Sequence, residues 1–334
     1  MLFDYVSNEE IFISIVIPCR NSKDTLRQCL EAAFSSDYNH FEVIVVDDGS
    51  EDDSVKIAGA YPVKLIEMGE HRGVSETRNA GVDAAEGEVI LFIDSDCLLD
   101  KKCLGKIDDF FRDNKRKALG GTYTPVPFDR TFFSIFQSLY VNYCESEKKP
   151  DYLATHCLAI RKKDFISTGG FVKNITMGHT TSVEDVEFSH RLGKYGIELV
   201  FDPELQVKHI FNFNLIKSLR NATKKSYYWT LYSLNKGDLF KDSGASSHEL
   251  KISSSVLVLS AALVASGYGA LSLPLYIFNI FISRGLISQF NRYMGGIFTL
   301  KAMLYFYFLY PIPVISGGLG ALLKYSMLKL RGET

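Results

Sequence analysis

Three apolar runs, each ending abruptly in polar residues, set the strongest limit on how this chain can fold. Ile-Phe-Ile-Ser-Ile-Val-Ile at 11–17 is stopped by Pro18, Phe41 to Val46 by Asp47-Asp48-Gly49, and Val89 to Ile93 by Asp94-Ser95-Asp96. Short β-branched runs of this kind read as strands buried on both faces, as in a parallel sheet. The segments between them have helical spacing. Asp24 to Phe34 carries Leu26, Leu30, Ala33 and Phe34, Asp52 to Ala60 reads as a short helix, and Val74 to Ala85 as a longer one. Gly87 is the expected left-handed end of that last helix. Strand and helix alternate as in a doubly wound, mostly parallel α/β sheet.

The pattern extends with a strand at 63–67, helices near 101–111 and 132–145, strands near 118–123 and 153–160, a helix from about Val183, and two short strands near Phe201 and Val207. Such a sheet binds ligands beyond the carboxyl ends of its strands. Pro18-Cys19-Arg20-Asn21, Asp47-Asp48-Gly49-Ser50 and Asp94-Ser95-Asp96 should therefore face one crevice. Four carboxylates brought together there repel one another unless a cation or hydrogen-bond donors offset them. A hard divalent cation such as Mg²⁺ or Mn²⁺, shared with substrate phosphates, meets that need.

Beyond residue 213 the composition changes. Asn214 to Leu234 reads as a helix with Lys217, Arg220, Lys224 and Lys225 beside Tyr227, Tyr228 and Trp229, a mixture suited to a membrane surface. From Ile252 to Leu323 only Arg284, Arg292 and Lys301 are charged, and the apolar segments Ile252–Ile282 and Ile297–Leu323 each exceed the ~20 residues of one span. Glycines and prolines interrupt both, so kinked spans, hairpins and re-entrant segments all stay open. The expected organisation is a catalytic domain at 1–213, an interfacial helix and linker at 214–250, a transmembrane region at 251–325 and a basic tail at 326–334. Met1 to Glu10 carries no basic segment followed by an apolar run, so the catalytic domain is expected on the cytoplasmic side of a multi-pass membrane attachment. Six scattered cysteines with no Cys-x-x-Cys pair point to reduced thiols. Asn174-Ile-Thr176 and Asn221-Ala-Thr223 have the form of glycosylation sites, which a cytosolic domain would not use. A net charge of −2 gives no support for a nucleic-acid partner.

Ser14-Ile-Val-Ile-Pro-Cys-Arg-Asn21, Val45-Val-Asp-Asp-Gly-Ser50, Arg72-Gly-Val-Ser-Glu-Thr-Arg-Asn-Ala-Gly81, Asp94-Ser-Asp96, Gly169-Gly170-Phe171, Glu184-Asp185 and His209 resemble, in order and spacing, the motifs of family 2 glycosyltransferases. The resemblance covers about residues 11–235. It implies a GT-A fold and inverting transfer of a sugar from a nucleotide diphosphate donor, UDP- or GDP-linked. On that resemblance Pro18, Arg20, Asp48 and Arg78 would bind the nucleotide, with Ser95 and Gly170 beside the donor. Asp94 would meet the ribose or the metal, and Asp96 and His209 would hold the metal. Asp185, preceded by Glu184, would be the general base. Ser182 to Asp185 also reads as a helix capping box, and Gly169-Gly170 as a plain turn. A cytosolic donor and a membrane-embedded tail together point to an acceptor held at the bilayer surface, a lipid or lipid-linked saccharide, with the aromatic helix Phe132 to Tyr143 and the tail forming its entry. A polyprenyl-phosphate glycosyltransferase and a noncatalytic nucleotide-sugar-binding scaffold are the alternatives. A processive synthase is disfavoured, because no Gln-x-x-Arg-Trp motif follows Glu184-Asp185.

Overall fold

The computed structural model describes residues 10–113, 115–146, 151–173, 183–239 and 246–331. The chain divides into two compact units, one made of residues 1–124, 149–173 and 184–210, the other of 125–148, 174–183 and 211–334.

The first unit is built on one eight-stranded sheet in the order β3-β2-β1-β4-β7-β6-β8-β5. The apolar runs form its centre. They are β1 (Ile13–Cys19), β2 (Phe41–Asp47) and β4 (Val89–Phe92), joined in parallel with β3 (Lys64–Glu67) at one edge. Ile13, Ile15, Val16 and Ile17 are fully buried, as expected for a strand covered on both faces. The connections are α1 (Leu26–Phe34), α2 (Ser54–Ala58) and α3 (Val74–Ala84). Beyond β4 the sheet is mixed: β7 (Leu158–Arg161) is antiparallel to β4 and to β6 (Lys117–Tyr123). The helix α4 (Cys103–Asp113) precedes β6, α6 (Lys162–Ser167) follows β7, and α7 (Glu184–Lys194) follows the described segment that ends at Lys173.

Two strand expectations change in form. The segments near Phe201 and Val207 are arms of one strand, β8 (Glu198–His209), parallel to β6. Phe201 pairs with Gly120 and Gln206 with Thr122, so the residues around Pro203, which has no N–H to give, bulge out between the arms. The distal arm also pairs antiparallel with a three-residue strand, β5 (Cys97–Leu99), directly after Asp96.

Gly87 does not end α3 in a left-handed turn. The helix stops at Ala85 in extended backbone, and Gly87 is absent from the positive-φ positions. Its requirement is space: a Cβ there would lie 2.6 Å from the Ser14 nitrogen, and the Gly87 N–H donates to Ser14 Oγ at 2.8 Å. All six cysteines are buried, and none forms a disulfide.

The second unit is helical, comprising α5 (Phe132–Ser146), α8 (Leu215–Lys236), α9 (His248–Ala265), α10 (Ser272–Ile282), α11 (Arg284–Leu304) and α12 (Pro311–Leu330). Its core is aromatic. Phe136 and Tyr140 of α5 are buried against Phe290, Tyr305, Phe306 and Tyr310, so the aromatic face of α5 is taken up by packing within this unit. Asn214 caps α8 by accepting from the Lys217 N–H, and Gly237 ends it in the left-handed region at φ 76°. Among the described residues two helical stretches, His248–Ala265 and Arg284–Leu330, are long and apolar enough to cross a membrane by length and composition. The second is broken at Gly295 and by a π-turn at Tyr305–Leu309.

Candidate active site

The carboxylates at the strand ends fall into two groups once their partners are known. Asp47 Oδ2 accepts from the Ser50 N–H at 3.0 Å within its own turn. Asp48, 3% exposed, accepts from the Arg72 and Gly73 N–H groups at 2.6 and 3.0 Å and lies 2.8 Å from His71 Nδ1. It thus holds the backbone at the start of α3, where the helix dipole favours a negative charge. Asp48 is offset by these local donors, whereas Asp47 Oδ1 is buried with no hydrogen-bond partner among the described residues. Pro18 is half-buried, Arg20 is exposed, and Ser95 hydrogen-bonds Ser22 at 2.8 Å, tying the loop after β1 to the loop after β4.

Arg78 organises the remaining acids. It projects from α3, is 3% exposed, and donates from Nη2 to Asp94 Oδ1 at 2.7 Å and from Nη1 to Glu184 Oε1 at 2.6 Å. Its guanidinium also lies 5.7 Å from the Phe171 ring centre. Burial works to raise the Asp94 pKa, but the Arg78 charge, and after it the His156 imidazole, hold it below the ordinary carboxylate range. At Glu184, 8% exposed, burial prevails over Arg78 and lifts the carboxyl to about 7. Arg78 therefore spends its terminal nitrogens on two acids 90 residues apart in sequence, and fixes the first turn of α7 against the end of β4.

Among the described residues no arginine pairs with Asp96. Partial burial and then the Asp94 charge raise its carboxyl to about 7. Its neighbour is His209, whose Nε2 is 3.4 Å from Asp96 Oδ1. The short strand β5 brings them together: Cys97 pairs with His209, and the Ile210 N–H donates to the Asp96 carbonyl at 2.8 Å. Asp96, Cys97 and His209 each offer a ligand atom within 4.8 Å of the others. The Cys97 thiol stays protonated, since burial raises it well above its usual value, and so is a poor ligand. Carboxylate plus imidazole, beside a second carboxylate, fits a hard to borderline divalent cation such as Mn²⁺. A cation there would also offset the one acid in the group that lacks a strong positive partner.

Asp185, next to Glu184, is half-buried in the first turn of α7 and accepts from the Val186 N–H at 2.8 Å. Ser182, the other half of the capping-box reading, lies outside the described residues, as does Asn174. Gly169 and Gly170 have φ of +84° and +63° and close the end of α6, with the Gly170 N–H donating to the Phe165 carbonyl. The turn is therefore real, and it is fastened from both sides. Arg191 donates to the Thr168 and Gly170 carbonyls, while Asn79 of α3 exchanges two hydrogen bonds with the Phe171 backbone, at 2.8 and 2.9 Å.

Sequence reasoning missed Asn79 and His156. Asn79 follows Arg78 directly, and the adjacent pair fastens α3 to two different segments. His156 stacks on Tyr123 at 4.0 Å between ring centres, and Tyr123 meets His209 edge-on at 4.9 Å, so a second imidazole stands behind the Asp96–His209 pair. No spacing in the sequence links residues 123, 156 and 209; the sheet order does.

The sequence profile "Glycosyl transferase family 2" matches residues 14–172. The chain is 32% identical over 201 residues to Glycosyltransferase AglE of Haloferax volcanii, covering 57% of this chain and 64% of that one. It is 27% identical over 262 residues to the minor teichoic acid biosynthesis protein GgaB of Bacillus subtilis, covering 73% of this chain and 28% of that one. The chain thus spans less than two thirds of the length of these curated relatives. In fold it resembles the mannosyltransferase PcManGT of Pyrobaculum calidifontis, solved with GDP-Man and Mn²⁺, with a TM-score of 0.59 at 14% identity, over 95% of this chain and 88% of that one. The profile match lies on the very strands and loops that carry Asp48, Arg78, Asp94, Asp96 and Gly170, so residues 14–172 form a glycosyl transferase family 2 domain.

Proposed function

We propose that this protein is a membrane-bound inverting glycosyltransferase that moves a sugar from a UDP- or GDP-sugar to a hydroxyl of a lipid or lipid-linked saccharide. The observation that carries the reading is the Arg78 bridge. One buried guanidinium ties Asp94, in the acidic motif expected at the donor diphosphate, to Glu184, whose neighbour Asp185 is the expected base. A bridge of that kind fixes base and donor relative to one another, and most of an orientational advantage is lost when such groups shift by about 1 Å.

Pro18, Arg20 and Asp48 would bound the nucleotide, with Asp48 acting through the loop it holds at 71–73. Asp96 and His209, with Asp94 alongside, would hold Mg²⁺ or Mn²⁺, which would supply the positive charge that a leaving diphosphate requires. Asp185 would accept the proton of the acceptor hydroxyl as its oxygen attacks the anomeric carbon from the face opposite the diphosphate. The bond from that carbon to the diphosphate oxygen breaks, and its electron pair leaves with the diphosphate. Glu184 is a positioning residue, since its carboxylate is committed to Arg78. The second unit would attach the enzyme to the membrane with the catalytic unit on the cytoplasmic side. The similarity to GgaB, a minor teichoic acid biosynthesis protein, supports a cell-envelope glycan as the class of product.

The test is Asp185→Asn. Transfer should be lost while the nucleotide still binds with unchanged affinity. Near-normal turnover would exclude the general-base role and favour a phosphate acceptor, which is already ionised.

A further inference from the structure

The second unit shows where both of its apolar stretches begin and end relative to one another, and that decides how they meet a membrane. α8 and α12 run side by side in the same direction. Ser218 meets Tyr305, Ser226 Oγ donates to the Val314 carbonyl at 2.7 Å, and a Cβ on Gly317 would strike the Thr223 carbonyl. Wherever α12 goes, α8 goes with it. Yet α8 exposes Lys217, Arg220 and Lys224, spaced to share one face along its first half, and ends at Lys236-Gly237-Asp238.

The chain then has to return. Ser247 lies 3.2 Å from Tyr140, and Ser253 bonds the Phe306 carbonyl, beside Tyr305 and hence at the Ser218 end of α8. Lys236 is about 27 Å from that end along the helix. If α8 and α12 crossed a bilayer, residues 237–246, too few for a spanning helix and containing Asp238, Lys241 and Asp242, would have to recross the hydrocarbon. Ten residues, three of them charged, are too short and too polar to span the hydrocarbon.

The α9–α10 hairpin gives the complementary observation. Its two feet stand at one residue: Glu249, in the first turn of α9, accepts from the Tyr143 hydroxyl at 3.2 Å, and Gly285, just after α10, packs so closely on Tyr143 that a Cβ would lie 2.7 Å from the same hydroxyl. Between them, from Ile252 to Ser283, no residue is charged. The uncharged part of α9, from Ile252 to Ala265, and α10 reach about 21 and 16 Å, less than the ~30 Å of a hydrocarbon core. Val264, Tyr268, Leu273, Ile277 and Phe281 are each at least 59% exposed, a patch too large to leave in water. The feet are basic, with Lys251 and Arg284, and residues 211–334 carry thirteen Lys and Arg against four Asp and Glu, in a chain that has 37 against 39. The acidic excess lies entirely in the other residues.

We propose that the second unit is monotopic: the α9–α10 hairpin dips into one leaflet of a membrane rich in anionic lipid, α8 and α12 lie in its interface, and no segment crosses. This rests on the membrane-bound reading above and replaces its several crossings with none. Cysteine accessibility in inside-out and right-side-out vesicles tests it on the full chain, whose native cysteines are all buried. Asp238→Cys and Lys329→Cys should react with an impermeant maleimide from the same single face, and Tyr268→Cys from neither until detergent is added. Labelling of Tyr268→Cys from the face opposite Asp238→Cys, or of Lys329→Cys and Asp238→Cys from opposite faces, overturns the proposal. In flotation, the protein should prefer phosphatidylcholine vesicles containing phosphatidylglycerol over phosphatidylcholine alone, and Lys217→Gln, Arg220→Gln and Lys224→Gln should each reduce that preference about five-fold at low salt. Equal partition into both vesicle types overturns the anionic-lipid part. Neither readout involves sugar transfer, so an inactive protein that behaves this way refutes the catalytic reading alone.

Discussion

Arg78→Met is the most informative perturbation, because it separates the bridge from the packing around it. Methionine keeps the apolar stem against Phe171 but removes both donors, leaving Glu184 at 8% and Asp94 at 34% side-chain exposure without their cation. Breaking one side of a buried ion pair costs about 3–5 kcal/mol. Asp94 can recover solvation and Glu184 cannot, so most of the loss belongs to Glu184. At ~2–4 °C per kcal/mol for a unit of this size, the thermal midpoint should fall by about 10 °C.

The loss should depend on pH with a definite sign. Glu184 already has a folded pKa of about 7, above its unfolded value of 4.5. Between those values the folded state binds the extra proton, so this group's contribution declines as pH rises through the window. Removing Arg78 lifts the folded pKa further and widens the window upward. The variant should therefore be closer to wild type at pH 5.5 than at pH 8, and Arg78→Met/Glu184→Gln should recover a large part of the loss at pH 8. Differential scanning fluorimetry of wild type, both single variants and the double variant at the two pH values measures this. A drop of less than about 2 °C in Arg78→Met, or one equal at both pH values, would refute the bridge as the element that holds α7 to the end of β4.

Two further outcomes follow from the same geometry. Gly170→Ala should cost about 2 kcal/mol, about half from the left-handed backbone and half from the contact 2.8 Å from Asn79 Oδ1, whereas Gly169→Ala, with nothing nearer than 3.9 Å, should cost only the backbone share; equal losses in urea unfolding would show that the Asn79 clamp is unimportant. His209→Ala should weaken Mn²⁺ binding in the presence of a nucleoside diphosphate at least about tenfold, read as free Mn²⁺ by electron paramagnetic resonance, and unchanged affinity would remove His209 from the metal site.

The central sheet was legible because Ile13 to Ile17, Val43 to Val46 and Val89 to Phe92 are buried on both faces and so read as unbroken apolar runs. The acidic residues were legible through their placement after those runs. What was hidden depends on pairing between distant segments. Cys97-Leu98-Leu99 is too short to carry a period, and becomes a strand only because β8 lies beside it; that pairing is what sets His209 next to Asp96. The two arms of β8 looked like separate strands because the bulge around Pro203 interrupts their alternation. A glycine after a helix signals a left-handed turn and a tight contact equally well, and only the nearness of Ser14 identifies Gly87 as the second. Arg78 reads from sequence as a residue near the nucleotide, and its bonds from Nη1 to Glu184 and from Nη2 to Asp94, which join segments far apart in the chain, carry no sequence signal of their own.

The most direct measurement is the release of nucleoside diphosphate by the purified full-length protein, given a panel of UDP- and GDP-sugars with membrane lipids, with and without Mn²⁺. The account predicts release from one donor that requires both the metal and the lipid fraction, is abolished in Asp96→Asn, and yields a glycosylated lipid by mass spectrometry. Release that persists in chelator or in Asp96→Asn, or nucleotide binding with no release from any donor, would contradict it.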